Sequence, residues 1–156
     1  MSALVHAIPE VESRTSRRVM VIGGLAVVCR LRVPHRATTD LDTVSRRAAE
    51  QMPQLELLAG FSSVERVGPV GVLIPTPAGR VRVDVLEISE DEIAHPPDEP
   101  SGRLYVMSHA WASETSTPVT IRADNSADIN VLVAEPGPLV AMKLQSLPDR
   151  TVAKEA

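Results

Sequence analysis

Aromatic side chains are nearly absent from this chain: Phe61, Tyr105 and Trp111 are the only three in 156 residues. A single-strand nucleic-acid module built on stacking platforms needs more of them, so that class is disfavoured. One cysteine, Cys29, excludes an intrachain disulfide and a cysteine-based zinc cluster; lying in an apolar run, it reads as a small buried hydrophobe. Lysine is missing until Lys143, so the basic charge is almost wholly arginine, a skew that reads as GC-rich codon usage. Long hydrophobic runs are missing too. The best candidate, Val19–Cys29 behind Arg17-Arg18, has 11 residues against the roughly 20 that a bilayer requires. Arg30-Leu31-Arg32 follows it in place of a small-x-small cleavage site. It is expected to be a buried element of a cytoplasmic protein with no membrane partner. Internal repeats, low-complexity tracts and the Gly-x-Gly-x-x-Gly dinucleotide fingerprint are also absent.

What remains is the composition of an ordinary globular protein, 44% hydrophobic and 23% charged, with length for one packed core spanning residues 1–156. An aliphatic core must replace the missing aromatics, and 21 valines favour strands as its framework. The net charge of −4 conceals a division. Residues 1–82 hold 11 Arg against 7 acids, and residues 83–156 hold 5 Lys and Arg against 13 acids. The basic half offers a surface to phosphates, or simply solubilises the chain.

Periodicity supplies a coarse outline. Residues 1–18 are polar and weakly periodic, a frayed or helical lead-in. Val19–Ile22 is a short apolar run broken by Gly23-Gly24, after which Leu25–Leu31 reads as a helix stopped before Pro34. His35–Val44 reads as a strand, and Ser45–Ala59 as an amphipathic helix with Pro53 as kink or boundary and Gly60 as its stop. Val70–Ile74 and Arg80–Ile88, joined by a Pro75–Gly79 turn, form an expected antiparallel hairpin. Ser89–Pro100, acidic and holding three prolines, reads as a surface loop. Then come Leu104–Met107, a short helical piece around Ala110–Ser113, Val119–Arg122, Ile129–Val133 and a final helix, Leu139–Leu147, opened by Pro138. Strands followed by single helices in mixed order imply an α+β fold around one small mixed sheet.

Chemistry concentrates between Val21 and Thr43. On a strand, Thr38, Asp40 and Asp42 share one face. Two carboxylates on one face repel unless a cation lies between them, and oxygen ligands suit Mg²⁺ or Mn²⁺. Taken alone, Asp-x-Asp is more often a solvated strand end. Gly23-Gly24 before a helix can present bare backbone N–H groups to a phosphate, or form an ordinary tight turn. In Arg80-Val-Arg-Val-Asp84-Val, alternation sends Val81, Val83 and Val85 to the core and Asp84 to the other face. Paired beside the Asp40–Asp42 strand, Asp84 would complete a three-carboxylate metal site.

These motifs together, Gly-Gly-x-Ala, Arg-x-Thr-x-Asp-x-Asp and a later Val-Asp-Val, are similar to the nucleotidyltransferase (polymerase-β-like) superfamily. The run Leu139-Val-Ala-Met-Lys143-Leu-Gln-Ser-Leu-Pro-Asp-Arg150 resembles the Leu-x-Ala-x-Lys-Leu helix of its AbiEii/MenT-like toxin branch. The resemblance covers roughly residues 19–155. It implies that Gly23 and Gly24 cradle a triphosphate, with Arg36, Thr38, Lys143 and Arg150 also on the nucleotide side. Asp40, Asp42 and Asp84 would hold divalent ions, Asp84 serving as third ligand or as base for the attacking hydroxyl, and Lys143 would offset charge on the leaving pyrophosphate. It further implies transfer of a nucleoside monophosphate from an NTP to an acceptor, by analogy the 3′ end of tRNA, and a cognate antitoxin protein as partner. Where the family has Lys-Asp this chain has Lys154-Glu155, and the family's next Asp and its helical continuation have no counterpart before Ala156. Two alternatives follow: nucleotidylation of a small molecule or a protein, and a shortened, inactive NTP-binding remnant.

The other candidates are bland. His6, His35, His95 and His109 lack metal-ligand spacing and read as surface or capping residues. Ser108-His109 has no acid partner or elbow glycines, so hydrolase chemistry is unsupported. Trp111 reads as a core anchor.

Overall fold

Valine alternation builds the centre of the sheet. Val81, Val83 and Val85 are buried on one face of a long strand, as their spacing predicts. The computed structural model describes residues 2–31, 33, 37–124 and 126–147. Over these the chain runs α1 (Ser2–Thr15), β1 (Met20–Val21), α2 (Gly23–Arg30), β2 (Leu41–Arg47), α3 (Gln54–Ala59), β3 (Glu65–Val67), β4 (Gly71–Thr76) and β5 (Gly79–Ser89). It continues through α4 (Glu90–Ala94), α5 (Pro100–Thr115), β6 (Thr117–Ile121), β7 (Ile129–Val133) and α6 (Pro136–Gln145). The strands form a seven-stranded mixed sheet in the order β3-β4-β5-β2-β1-β7-β6. The fold is α+β, as expected, although the sheet is larger than expected. Among the described residues no helix is long and apolar enough to cross a membrane.

Two apolar clusters lie on opposite faces of this sheet. The larger joins Leu4, Ile8 and Val11 of α1, Leu25 of α2 and Leu58 of α3 to the inward valines of β4, β5 and β7. The smaller contains Ile22, Val44, Ala112 and Ala134, with Leu86 and Met142 packed against it beneath α5 and α6. Residue parity separates the two, since Val44 and Leu86 alternate with the buried Thr43 and Val85 along β2 and β5.

Several elements differ from their sequence reading. Of the two readings of the lead-in, frayed or helical, the helical one holds: α1 buries Leu4, Ile8, Val11 and Thr15 in a stripe around Pro9. The strand expected over His35–Val44 is Leu41–Arg47, because pairing with β5 starts at Leu41↔Val83 and runs to Arg47↔Ser89. Ser45–Arg47 therefore belong to β2, and the expected 15-residue helix shrinks to α3, with Pro53 at its N-cap and Gly60 at its C-cap. The expected hairpin forms, tighter than foreseen: Thr76 pairs with Gly79 across a two-residue turn. Within the Ser89–Pro100 loop, Ser89 and Glu92 form a capping box that starts α4. Leu104–Met107 and Ala110–Ser113 are parts of one helix, α5, entered at Pro100. Trp111 on α5 is 46% exposed and no core anchor; its ring lies against the backbone of Gly137, where a Cβ would stand 2.7 Å from it.

Candidate active site

The site forms where β1 ends and α2 begins, beside the parallel pair β2–β5. Parallel pairing sets Asp42 directly opposite Asp84, so the two carboxylates are neighbours on one face. Gly23 adopts φ +61°, and a Cβ there would lie 2.0 Å from Asp42 Oδ2. No side chain but hydrogen fits that approach. Gly24 is constrained in the same way by Thr38, whose Oγ1 would stand 2.7 Å from a Cβ. The two glycines thus let the start of α2 press against both Asp42 and the Thr38 segment.

Asp40 lies in the bend before β2, so it does not share a strand face with Asp42 as the sequence suggested. Local bonds favour the bend over an extended strand: the Thr38 hydroxyl donates to the Asp40 carbonyl oxygen (3.3 Å) and the Thr39 hydroxyl to Asp40 Oδ1 (3.2 Å). Asp84 is engaged by Arg82, whose Nε donates to Oδ1 at 2.9 Å. Among the described residues no three acids, histidines or cysteines are grouped to hold a metal ion as they stand. The expected three-carboxylate site is therefore a close Asp42–Asp84 pair with Asp40 at its edge. Arg36, Arg150 and the Lys154-Glu155 pair lie outside the described residues.

Electrostatics single out Asp42. Burial pushes its pKa up, the neighbouring charges of Asp84 and Asp40 push it further, and a hydrogen bond from the Gly24 backbone N–H together with Arg82 opposes the rise. That bond also means one of the two glycine amides expected to face a phosphate already holds a carboxylate.

Five of the candidate residues line one cavity of about 710 Å³: Gly23, Gly24, Thr38, Asp42 and Lys143. Its volume is in the range of small-ligand sites. Lys143 reaches it from α6, the helix whose Leu139 and Met142 pack on the smaller core cluster. Charge pairing makes Lys143 distinctive. Ten of the eleven described arginines have an acidic partner. Arg18 and Lys143 are the only described cations without one. Most described arginines are thus neutralised locally, whereas the Lys143 ammonium stands unpaired at the cavity wall.

Sequence reasoning missed Tyr105 and His109, which complete the cavity from α5. His109 is 1% exposed rather than a surface residue. Its Nδ1–H donates to the Tyr105 carbonyl oxygen at 2.6 Å, the two rings lie 4.2 Å apart, and burial pushes the imidazole pKa down, so it stays neutral. The i, i+4 spacing of Tyr105 and His109 was the available signal, hidden by dividing α5 into two segments. Cys29 is partly buried against the larger core cluster, and burial pushes its thiol pKa up.

No protein-family model matches this chain, and no curated protein matches it. Among solved structures, the crystal structure of an antigenic nucleotidyltransferase-like protein from Paracoccidioides brasiliensis is similar to it. That likeness has 16% identity and a TM-score of 0.49, over 92% of this chain and 63% of that one. This chain therefore spans less than two thirds of that protein's length. At this distance the roles of individual residues rest on the local geometry.

Proposed function

We propose that this chain is a metal-dependent nucleotidyltransferase of the toxin–antitoxin type, moving a nucleoside monophosphate from an NTP to an acceptor hydroxyl. The 3′ end of tRNA is the candidate acceptor, and an antitoxin protein the candidate partner. The observation that carries this reading is the convergence on one cavity of the Gly23-Gly24 start of α2, the Asp42 carboxylate and the unpaired Lys143. An anionic phosphate chain fits a helix N-terminus and an ammonium. A pair of carboxylates beside it supplies only hard oxygen donors, which fits a divalent cation such as Mg²⁺ or Mn²⁺. Burial raises the Asp42 pKa first and like-charge crowding raises it further, and that crowding is what such a cation would relieve.

In this reading Asp42 and Asp84 hold the cation, with Asp40 beside them. When bound, the cation neutralises phosphoryl oxygens during in-line displacement at the α-phosphate. The close Gly23 backbone and Thr38 fix the triphosphate against α2. Lys143 offsets charge on the departing pyrophosphate. Asp84 lies on the side of Asp42 away from the glycines, and in this reading it would accept the proton of the attacking hydroxyl.

Radiolabelled NTPs incubated with the protein, Mg²⁺ and total RNA test the reading. Label should enter RNA and fall to background with Asp42→Ala. Transfer that survives Asp42→Ala removes the mechanism, and ribonuclease-resistant label redirects it to a protein or small-molecule acceptor.

A further inference from the structure

The β4–β5 hairpin places one arginine differently from its neighbours. Arg80 of the hairpin pairs with Glu65 of β3, and Arg66 of β3 pairs with Glu56 of α3, all four well exposed. Arg82 instead turns to a site acid, its Nε 2.9 Å from Asp84 Oδ1. Gly71 makes this possible. It stands opposite Asp84 in the antiparallel ladder, and a Cβ there would lie 2.5 Å from Asp84 Oδ1 and 3.4 Å from Arg82 Nε. The missing side chain leaves a slot in which the guanidinium meets the carboxylate. Its positive charge is also felt by Asp42, and the charges of Asp40 and Asp42 both act on Arg82. The guanidinium thus lies in the field of all three acids, which among the described residues do not converge as a metal-holding group.

We propose that Arg82 is the resident counter-cation of the site, occupying Asp84 until a divalent ion displaces it and so setting metal affinity by competition. The inference rests on the reading that Asp42 and Asp84 bind a divalent ion. Without Arg82, the Asp42–Asp84 pair, with the charge of Asp40 nearby, would have no cation paired with it. With it, an entering ion must give up part of its attraction to release an existing ion pair. The opposite possibility, an arginine that merely orients Asp84 for the ion, predicts the opposite sign.

Mn²⁺ titration of the full chain, with free ion followed by electron paramagnetic resonance, decides between them. Arg82→Gln should bind Mn²⁺ about tenfold tighter than wild type. Arg82→Lys, whose ammonium cannot reproduce the planar contact across Gly71, should fall between them. Thermal melts give a second readout: metal-free Arg82→Gln should melt lower than wild type, and Mn²⁺ should raise its Tm by more. If Arg82→Gln does not fold, intermediate tightening in Arg82→Lys carries the same conclusion. Affinity equal to or weaker than wild type in both variants overturns the competition while leaving the metal site standing. Absence of Mn²⁺ binding in wild type and both variants overturns the competition and the metal site together.

Discussion

Two carboxylates three positions apart on β5, Asp84 and Glu87, have opposite surroundings. Glu87 stands opposite Ser45 of β2 and is fully engaged: it accepts the Ser45 hydroxyl at 3.2 Å and the Gln54 backbone N–H at 2.9 Å, and pairs with Arg47 at 3.0 Å and Arg17 at 3.7 Å. Asp84 stands opposite another acid and has one arginine, which also faces the charges of Asp40 and Asp42. The same parallel ladder thus carries a satisfied acid that ties α3 and the β1 approach to the sheet, and an under-compensated pair beside a cavity. Satisfied acids hold structure, and crowded ones are available for chemistry.

If the Glu87 end is structural, breaking it should cost the most stability and leave metal binding intact. Glu87→Ala removes the acceptor for Ser45, Gln54 and two arginines at once, and should destabilise the fold by about 3 kcal/mol. A thermal melt should show this as a Tm drop of roughly 2–4 °C per kcal/mol. A loss of Mn²⁺ binding equal to that of an Asp84 variant would dissolve the distinction between the two ends.

The second test concerns how closely α2 presses on Asp42. Gly23 and Gly68 share a positive φ, +61° and +68°, but a Cβ at Gly68 meets nothing within 4 Å. Gly68→Ala should therefore cost only the left-handed backbone penalty, about 1 kcal/mol. Gly23→Ala adds a collision with the Asp42 carboxylate and should cost about 2 kcal/mol, with loss of NTP affinity. Denaturant melts of the two variants isolate the close approach. Equal costs would mean that Asp42 moves aside freely.

Much of this was legible in the chain, for identifiable reasons. Alternation in Val81–Val85 and the turn before Gly79 belong to single strands, and local pattern suffices for them. Gly23-Gly24, Asp42 and Lys143 were marked as a group by motif and come together at one cavity. Part of what escaped depends on distant partners. Ser45–Arg47 looked helical until seven residues of β5 drew them into a parallel ladder. Asp40 looked like strand until its threonines bonded it into a bend. His109 looked exposed because nothing local says that α5 covers β2. The Ser89–Glu92 box was readable locally and was obscured by the prolines that follow it.

The smallest expected effect is also the most direct measure of crowding at the Asp42 end. The folded chain holds the Asp42 pKa above the ordinary value of about 3.8, first by burial and then through Asp84 and Asp40. Between the ordinary and the raised value the folded chain keeps a proton that the unfolded chain has released. Stability from this group is therefore complete below the ordinary value, falls as pH rises through the window, and stays lost above it. Asp42→Asn keeps an oxygen to accept the Gly24 N–H and removes the charge. In the absence of divalent ions it should melt higher than wild type at neutral pH, by less than either glycine variant loses, and the advantage should vanish below pH 3.8. Added Mn²⁺ should reverse the order, stabilising wild type and leaving Asp42→Asn unmoved. Melts across pH with and without the ion check both halves: a variant less stable than wild type at neutral pH without metal would show that Asp42, like Glu87, is an acid whose charge the fold uses.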